Sequence, residues 1–342
     1  MDKLLKEILE ASGISGYEKE ITAIMVRELK KSCDEVHVDS IGNVIAKKGK
    51  GKKKIMLAAH MDEIGLMVKY ISKDGFISFI KVGGIDDRVL VAQRVIVKGK
   101  KGDRVGLIGT KPPHLQSDDD RKRPLKYEDM FIDIGARSKD EAHEMGVSVG
   151  DVIIFEPNAG VLNKDLYYGK AIDNRVSCYA LIEIMKKVKN GAQVFGVATT
   201  QEEVGLKGAR VGAYGINPDY AIALDTNLAG DTPQVKEQES PLKLGEGTGI
   251  TILEAAGRGV IVSEFMRNTL LDVAKKNKIK HQVAVIEGGM TDGAILYMNQ
   301  SGVHTGVLTV PTRYIHAPTG VFSKHDLDAQ IELAVKAVEA LA

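Results

Sequence analysis

The chain is 342 residues long, more than one hydrophobic core usually supports, which favours a large domain plus a second unit. Its 47 basic and 46 acidic residues leave a formal net charge of +1; this argues against nucleic acid or an anionic membrane as main partner and leaves small molecules, peptides or further copies of the chain. Cys33 and Cys178 are too few for a disulfide framework and make no Cys-x-x-Cys pair, so a reducing, cytoplasmic setting is expected.

Residues 1–11 place Leu4, Leu5, Ile8 and Leu9 among charges, the pattern of an amphipathic helix and not of a signal-peptide core, and no apolar run reaches membrane-spanning length. A second helix is predicted over 18–31, strands over 35–38 and 43–47, and the apolar run 55–59 reads as a buried strand. From about 66 to 162 the texture changes to short β-branched runs broken by turn signals such as Asp74-Gly75. Within that stretch, 117–124 is charge-dense and has no apolar anchor, as in a solvated or subunit-contacting loop. After Gly169 long helices and apolar strands alternate again: a helix from Val176, strands at 194–200 and 220–224, a helix from Ser263, strands at 282–286 and 303–310, and a helix from Asp326. The expectation is an α/β domain made of 1–65 and 163–342, interrupted by an inserted β-rich domain at 66–162.

Ligand-type side chains fall at particular points on this map. His60 ends the 55–59 strand with Asp62 two residues on, Glu202 and Glu203 follow the next apolar strand, and Asp225 ends 220–224. Asp173 and His316 sit in loops. In open α/β sheets, ligands bind beyond the carboxyl ends of strands. A set of imidazoles and carboxylates without thiolate suits Zn²⁺, Co²⁺ or Mn²⁺ with open positions for catalysis, and five ligands exceed one tetrahedral ion, so two ions sharing Asp173 can be held about 3.5–4 Å apart. Asp62 is expected to hydrogen-bond the His60 ring and fix its orientation.

Taken singly, each residue has a plainer reading. His60 alone is a satisfied polar group at a strand end, Asp225 a turn residue, and Asp173-Asn174 a cap for the helix from Val176. Glu202 and Glu203 alone are a solvated turn, although two unpaired charges beside a buried strand end are uncomfortable there. Their conjunction points to a site. His37, His114, His143, His281, His304 and His325 lack such company, and Gly245-Glu-Gly-Thr-Gly249 has no nucleotide-loop spacing and reads as a flexible turn.

Several segments together carry a resemblance. Ala58-Ala-His-Met-Asp-Glu-Ile-Gly65, Lys170-Ala-Ile-Asp-Asn-Arg175, Thr200-Gln-Glu-Glu-Val-Gly-Leu-Lys-Gly-Ala209, Ala223-Leu-Asp-Thr226 and Pro311-Thr-Arg-Tyr-Ile-His-Ala-Pro318 are similar to the M42 metallo-aminopeptidases, the TET peptidases. Ile108-Gly-Thr-Lys-Pro-Pro-His-Leu115 and Met130-Phe-Ile-Asp-Ile-Gly-Ala136 extend the match into the inserted stretch. The resemblance implies a three-layer α/β/α metallopeptidase domain with a PDZ-like inserted domain that mediates dimerisation, and assembly into tetrahedral dodecamers. It implies a two-metal site holding Zn²⁺ or Co²⁺, with His60 and Asp225 on one ion, Glu203 and His316 on the other, Asp173 bridging and Glu202 as general base, acting on the N-terminal residue of peptides. The chain departs from the family where relatives read Gly-Thr-Asp-Ala-Gly-Ala and it has Gly289-Met-Thr-Asp-Gly-Ala294, and where they read Gly-Pro and it has Gly247-Thr-Gly249; neither stretch is expected to touch a ligand. A glycosidase is the enzymatic rival, but its carboxyls must flank one bond roughly 5 to 9.5 Å apart, which adjacent glutamates amid further ligands suit poorly. A non-catalytic metal-binding assembly protein would have no need of Glu202 beside the ligands.

Overall fold

The computed structural model describes residues 1–118, 122–189 and 191–342. Helix α1 (Lys3–Glu10) begins where the Asp2 carboxylate accepts hydrogen bonds from Leu4 and Leu5 N–H, and it buries Leu5, Ile8 and Leu9 as their spacing predicts. α2 (Lys19–Leu29) follows, then β1 (Glu35–Val38), β2 (Val44–Lys48) and β3 (Lys54–His60). Six strands, β4 (Gly65–Ile71), β5 (Ile77–Val82), β6 (Arg94–Gly99), β7 (Gly102–Thr110), β8 (Met130–Asp133) and β9 (Val152–Phe155), close into a barrel in the order β4-β5-β8-β7-β6-β9, with α3 (Lys139–Glu144) between the last two in sequence. The barrel has its own core, which includes Leu66, Ile77, Val95, Ile132 and Ile153.

The chain then returns through β10 (Gly160–Asn163) and β11 (Leu166–Gly169) to α4 (Ile172–Lys187), β12 (Gln193–Thr199), α5 (Lys207–Ile216), β13 (Tyr220–Leu228), β14 (Thr248–Leu253), α6 (Glu264–Lys276), β15 (His281–Val285), α7 (Gly293–Leu296), β16 (His304–Arg313), β17 (Gly320–Ser323) and α8 (Lys324–Leu341). The large sheet runs β1-β2-β12-β3-β13-β16-β17-β11-β10, with β14 on β16 and β15 on β14. Its centre, β12, β3, β13 and β16, is four neighbouring parallel strands, so their carboxyl ends share one edge. Runs such as Ile55-Met-Leu-Ala58 are buried because helices cover the sheet: α4 lies against β3, β12 and β13, α8 against α4 and β16, and α5 against β12 and β3. No helix among the described residues is long and apolar enough to cross a membrane.

The structure moves two sequence-based boundaries. Residues 160–163, expected in or bordering the inserted stretch, pair with β11 as an edge of the large sheet, because Lys164 adopts a positive φ of 47° and turns the chain into a hairpin. Asp225 lies within β13 and not at its end, since Thr226 to Leu228 continue the ladder against Val310 to Thr312 of β16. Of the charged loop expected at 117–124, residues 119–121 lie outside the described residues.

A buried ion cluster joins the start of the chain to the two segments that lead into the site. Glu63, just past β3, lies 2.7 Å from Lys170 and 3.5 Å from Arg175, and all three side chains are 2 % exposed or less. Glu63 also accepts the Gly13 N–H at 3.0 Å, while Arg175 donates to the carbonyls of Met61, Ile8 and Ala11. Burial pulls the Lys170 pKa down against the attraction of Glu63. Removing the acid from such a cluster leaves two buried cations uncompensated, so Glu63→Ala is expected to lower stability by about 3–5 kcal/mol; guanidinium unfolding measures it, and an unchanged midpoint would contradict the account.

Candidate active site

The shared carboxyl edge of the four central strands gathers the side chains. β3 delivers His60, the turn after β12 delivers Glu202 and Glu203, β13 delivers Asp225, and the loop after β16 delivers His316. Asp173 enters from the first turn of α4, where Asp173 and Asn174 depart from helical geometry and Asn174 donates to the Leu224 carbonyl at 2.8 Å. That break turns the Asp173 carboxylate toward both imidazoles: Oδ1 lies 3.1 Å from His60 Nε2 and Oδ2 lies 3.3 Å from His316 Nε2. Around His60 Nε2 stand Asp225 at 3.7 Å and Glu202 at 3.9 Å, and Glu203 stands 3.6 Å from His316 Nε2. His60, Glu202 and Asp225 form one group able to hold a cation, and His60, Asp173 and Glu203 another.

Asp62 faces the His60 ring as expected and does more besides. Its Oδ1 lies 3.5 Å from His60 Nδ1, which is nearer the backbone carbonyl of Asp62, at 3.2 Å. The carboxylate also accepts from the Ser15 hydroxyl at 2.6 Å and from the backbone N–H groups of Glu202 and Glu203 at 2.9 and 3.2 Å. It therefore holds the glutamate pair by its backbone as much as it faces the ring. Asp292 is a site residue that sequence reasoning passed over. It is buried, takes the Thr199 hydroxyl on Oδ2 at 2.5 Å, and lies close enough for its charge to raise the Glu202 pKa. The only sequence signal was its motif, Gly289 to Ala294, in which no ligand was expected. Nor is Gly245 to Gly249 a free turn: the Gly245 and Gly247 N–H groups are clamped on the buried Asp326 carboxylate at 2.8 and 2.7 Å. The other histidines stay peripheral; His143 and His281 face backbone carbonyls and His304 faces Ser263.

Crowding of acids sets the electrostatics. Burial drives the Glu202 pKa well above the carboxylate range, with Asp225 and Asp292 adding to it; burial and Asp173 raise Glu203 to about 8; and burial raises Asp225, and Asp292 to about 7. Asp173 moves the other way, because the pairing with His316 and His60 outweighs its burial. The same pairing raises His316 to about 9, and for His60 the surrounding carboxylates overcome a burial that disfavours the imidazolium. Glu203 Oε1 and Asp292 Oδ1 are buried without a hydrogen-bond partner among the described residues. The nearby buried cations, Lys170 and Arg175, are committed to Glu63. A donor set of hard oxygens and imidazole nitrogens, crowded, net acidic and partly unpartnered, fits divalent cations.

The sequence and the fold both have known relatives. The sequence matches the M42 glutamyl aminopeptidase family over residues 42–333. It is 40% identical to a putative aminopeptidase of Acetivibrio thermocellus across 99% of this chain and 98% of the relative. Among solved structures it is similar to a TET aminopeptidase from the marine sediment archaeon Thaumarchaeota archaeon SCGC AB-539-E09, at TM-score 0.95 and 38% identity over 98% of this chain and 94% of the other. It is also similar to the TET1 peptidase of Pyrococcus horikoshii, which can assemble into a tetrahedron or a large octahedral shell, at TM-score 0.86 and 38% identity over 99% and 98%. The fold and the family together define an enzyme that hydrolyses peptides. The chain belongs to the M42 family of aminopeptidases.

The raised pKa values fix a pH dependence for the metal-free protein. His316 and Glu203 bind protons more tightly folded than unfolded, so the stability they lend is greatest at low pH and is lost as pH rises, for His316 between 6.5 and about 9 and for Glu203 between 4.5 and about 8. Cations must displace those protons. Metal-free protein is therefore expected to melt at falling temperature from pH 6.5 to 9, with metal restoring the loss most strongly at the alkaline end. Calorimetric titration with Zn²⁺ in buffers of different ionisation enthalpy should register proton release at pH 7; none would contradict the assignment of these shifts.

Proposed function

We propose that the protein is a two-metal aminopeptidase that removes the N-terminal residue of peptides, with Glu202 as general base. The carrying observation is Asp173, whose two oxygens each face a different imidazole at 3.1 and 3.3 Å, as a carboxylate shared between two ions would. In this reading His60 and Asp225 would hold one ion, His316 and Glu203 the other, and Asp173 would serve both; Zn²⁺ and Co²⁺ suit the donors. Bound there, the ions supply the Lewis acidity that polarises a scissile carbonyl and acidifies water.

The chain's own residues do the rest. In the ion-free site the pairing with both imidazoles keeps Asp173 ionised, so it would meet the ions as a carboxylate. Glu202 is the most distant of the three carboxylates around His60 Nε2 and is only 9 % exposed, and burial raises its pKa, so it would be the carboxylate left to face the water and take its proton. It then returns that proton to the leaving amine. Asp62 steadies the pair from behind and faces the His60 ring, the two functions for which we group it with Glu202. Because Glu202 also falls in a cation-holding group with His60 and Asp225, metal content separates base from ligand. Glu202→Gln is expected to keep both ions and the fold while turnover of an aminoacyl anilide drops about 10²–10⁴-fold. Loss of an ion from that variant would make Glu202 a ligand, and near-normal turnover would sink the assignment. Chelation should abolish activity and Co²⁺ or Zn²⁺ restore it.

We further read the large sheet with its helices as the three-layer catalytic domain, made of 1–65 and 163–342 together with the edge strand that begins at Gly160, and the barrel before that strand as the inserted PDZ-like dimerisation unit. The outer face of the barrel supports this: Ile80 on β5 and Val105 and Leu107 on β7, two strands with β8 between them, are 43, 51 and 52 % exposed, more apolar surface than a solvated face needs. Copies of the chain would pair there and build a dodecameric shell in the cytoplasm, where the unpaired Cys33 and Cys178 remain reduced. Light scattering should then give a mass of about twelve times 37.0 kDa, and a strict monomer would contradict it.

A further inference from the structure

The turn that carries the glutamate pair is held from outside. Four successive backbone N–H groups each donate to a side chain from a distant part of the chain: Thr200 to Asn43 Oδ1 at 3.0 Å, Gln201 to Glu18 Oε1 at 3.2 Å, and Glu202 and Glu203 to the two oxygens of Asp62 at 2.9 and 3.2 Å. Gln201 sits in the left-handed region at φ 55°, a conformation unfavourable for a residue with a side chain, so the turn needs such restraints. From this turn Glu202 reaches toward His60 and Glu203 toward His316, so the divergence of two adjacent side chains depends on the backbone between Thr200 and Glu203.

Glu18 stands out among the three holders. Its carboxylate is buried, at 7 % exposure, and makes no ion pair among those found between described residues. It caps nothing on its own helix, although it stands at the N-terminus of α2. Instead Oε1 takes the Gly16 N–H at 2.7 Å, the Gln201 N–H, and the Thr200 hydroxyl in a short hydrogen bond. Burying a carboxylate without a cation is costly unless its oxygens are well bonded, and two of these three bonds are made to the turn. Asn43 is fastened to Asp39 and Gly208, and Asp62 faces His60 and Ser15, so each of those also serves another structure.

We propose that Glu18 is a positioning residue for Glu202, an inference that rests on the reading of Glu202 as the general base. Held at Gln201, the chain presents the Glu202 carboxylate at a fixed place on the strand edge. Released there, it can shift by an ångström without disturbing either strand or helix, and a displacement of that size costs about 10²-fold in rate.

Kinetics of the assembled, metal-loaded enzyme on an aminoacyl anilide test this, with metal content measured on each variant. Glu18→Ala is expected to lower kcat about 10–100-fold, with KM and bound metal within about two-fold of the unaltered enzyme. Glu18→Gln keeps an acceptor oxygen and should recover most of that loss. In a Glu202→Gln background Glu18→Ala should cost nothing further, because the group it positions is already gone. A purely structural role would give the same fold loss in both backgrounds and would overturn the proposal, as would unchanged kcat in Glu18→Ala. If Glu18→Ala does not fold, Thr200→Val, which removes the hydroxyl that Glu18 holds, carries the same expectation at about five-fold. Full turnover by Glu202→Gln alone would mark failure of the underlying reading; full turnover by Glu18→Ala with an inactive Glu202→Gln would defeat this inference only.

Discussion

Six carboxyl groups, those of Asp62, Asp173, Glu202, Glu203, Asp225 and Asp292, are packed around two imidazoles at one edge of the central sheet, and mutual repulsion at that edge is what the surrounding structure has to manage. Buried like charges either take up protons or take up cations. Asp173 avoids protonation by sitting between His60 and His316, whereas Glu202, Glu203 and Asp292, with fewer imidazole contacts, are pushed upward by burial. In the ion-free site one carboxylate thus stays charged while others hold protons more tightly than usual, and divalent cations would relieve the same crowding.

The fold meets this demand by borrowing rigidity from elsewhere. Four parallel strands set their carboxyl ends side by side, and extended backbone with helices on it leaves little freedom at those ends. The loops that finish the job are fastened by buried polar groups. Glu63, Lys170 and Arg175 tie the segment after β3 to the entry of α4, so the positions of Asp62 and Asp173 are linked through a single ion cluster. Side chains from Glu18, Asn43 and Asp62 tie down the turn after β12. Asp62 apart, which serves in both, the residues assigned to chemistry and the residues that hold them are thus different sets, and the second set draws on the first 43 residues of the chain as well as on the strand ends.

Much of this was legible in the sequence, for a definite reason. The run 55–59 reads as a buried strand from its unbroken apolar character, and β3 includes it; the helix with Leu5, Ile8 and Leu9 on one face is α1. His60, Asp173, Glu202, Glu203, Asp225 and His316 could be nominated because strand ends and loops carrying ligand-type residues are where ligands bind in α/β sheets, and the structure brings all six together. Asp292, Glu18 and Asn43 escaped notice. Each is an ordinary polar residue in its local sequence, and nothing within a few positions shows that its partner is Thr199, Thr200 or Gln201.

The limits follow from the range of the signals. Periodicity, turn chemistry and residue type act over a few residues, so the sequence by itself determined which segments become strands and helices, that a β-rich stretch interrupts an α/β chain, and which side chains were fit to bind cations. Distances across the sheet belong to tertiary structure, because strand order is chosen by packing and by parallel pairing between segments more than a hundred residues apart. Only that order put Asp173 between His60 and His316, made Asp62 a support for two backbone amides besides a partner of the His60 ring, and set Asp225 inside a strand prolonged by its neighbour β16.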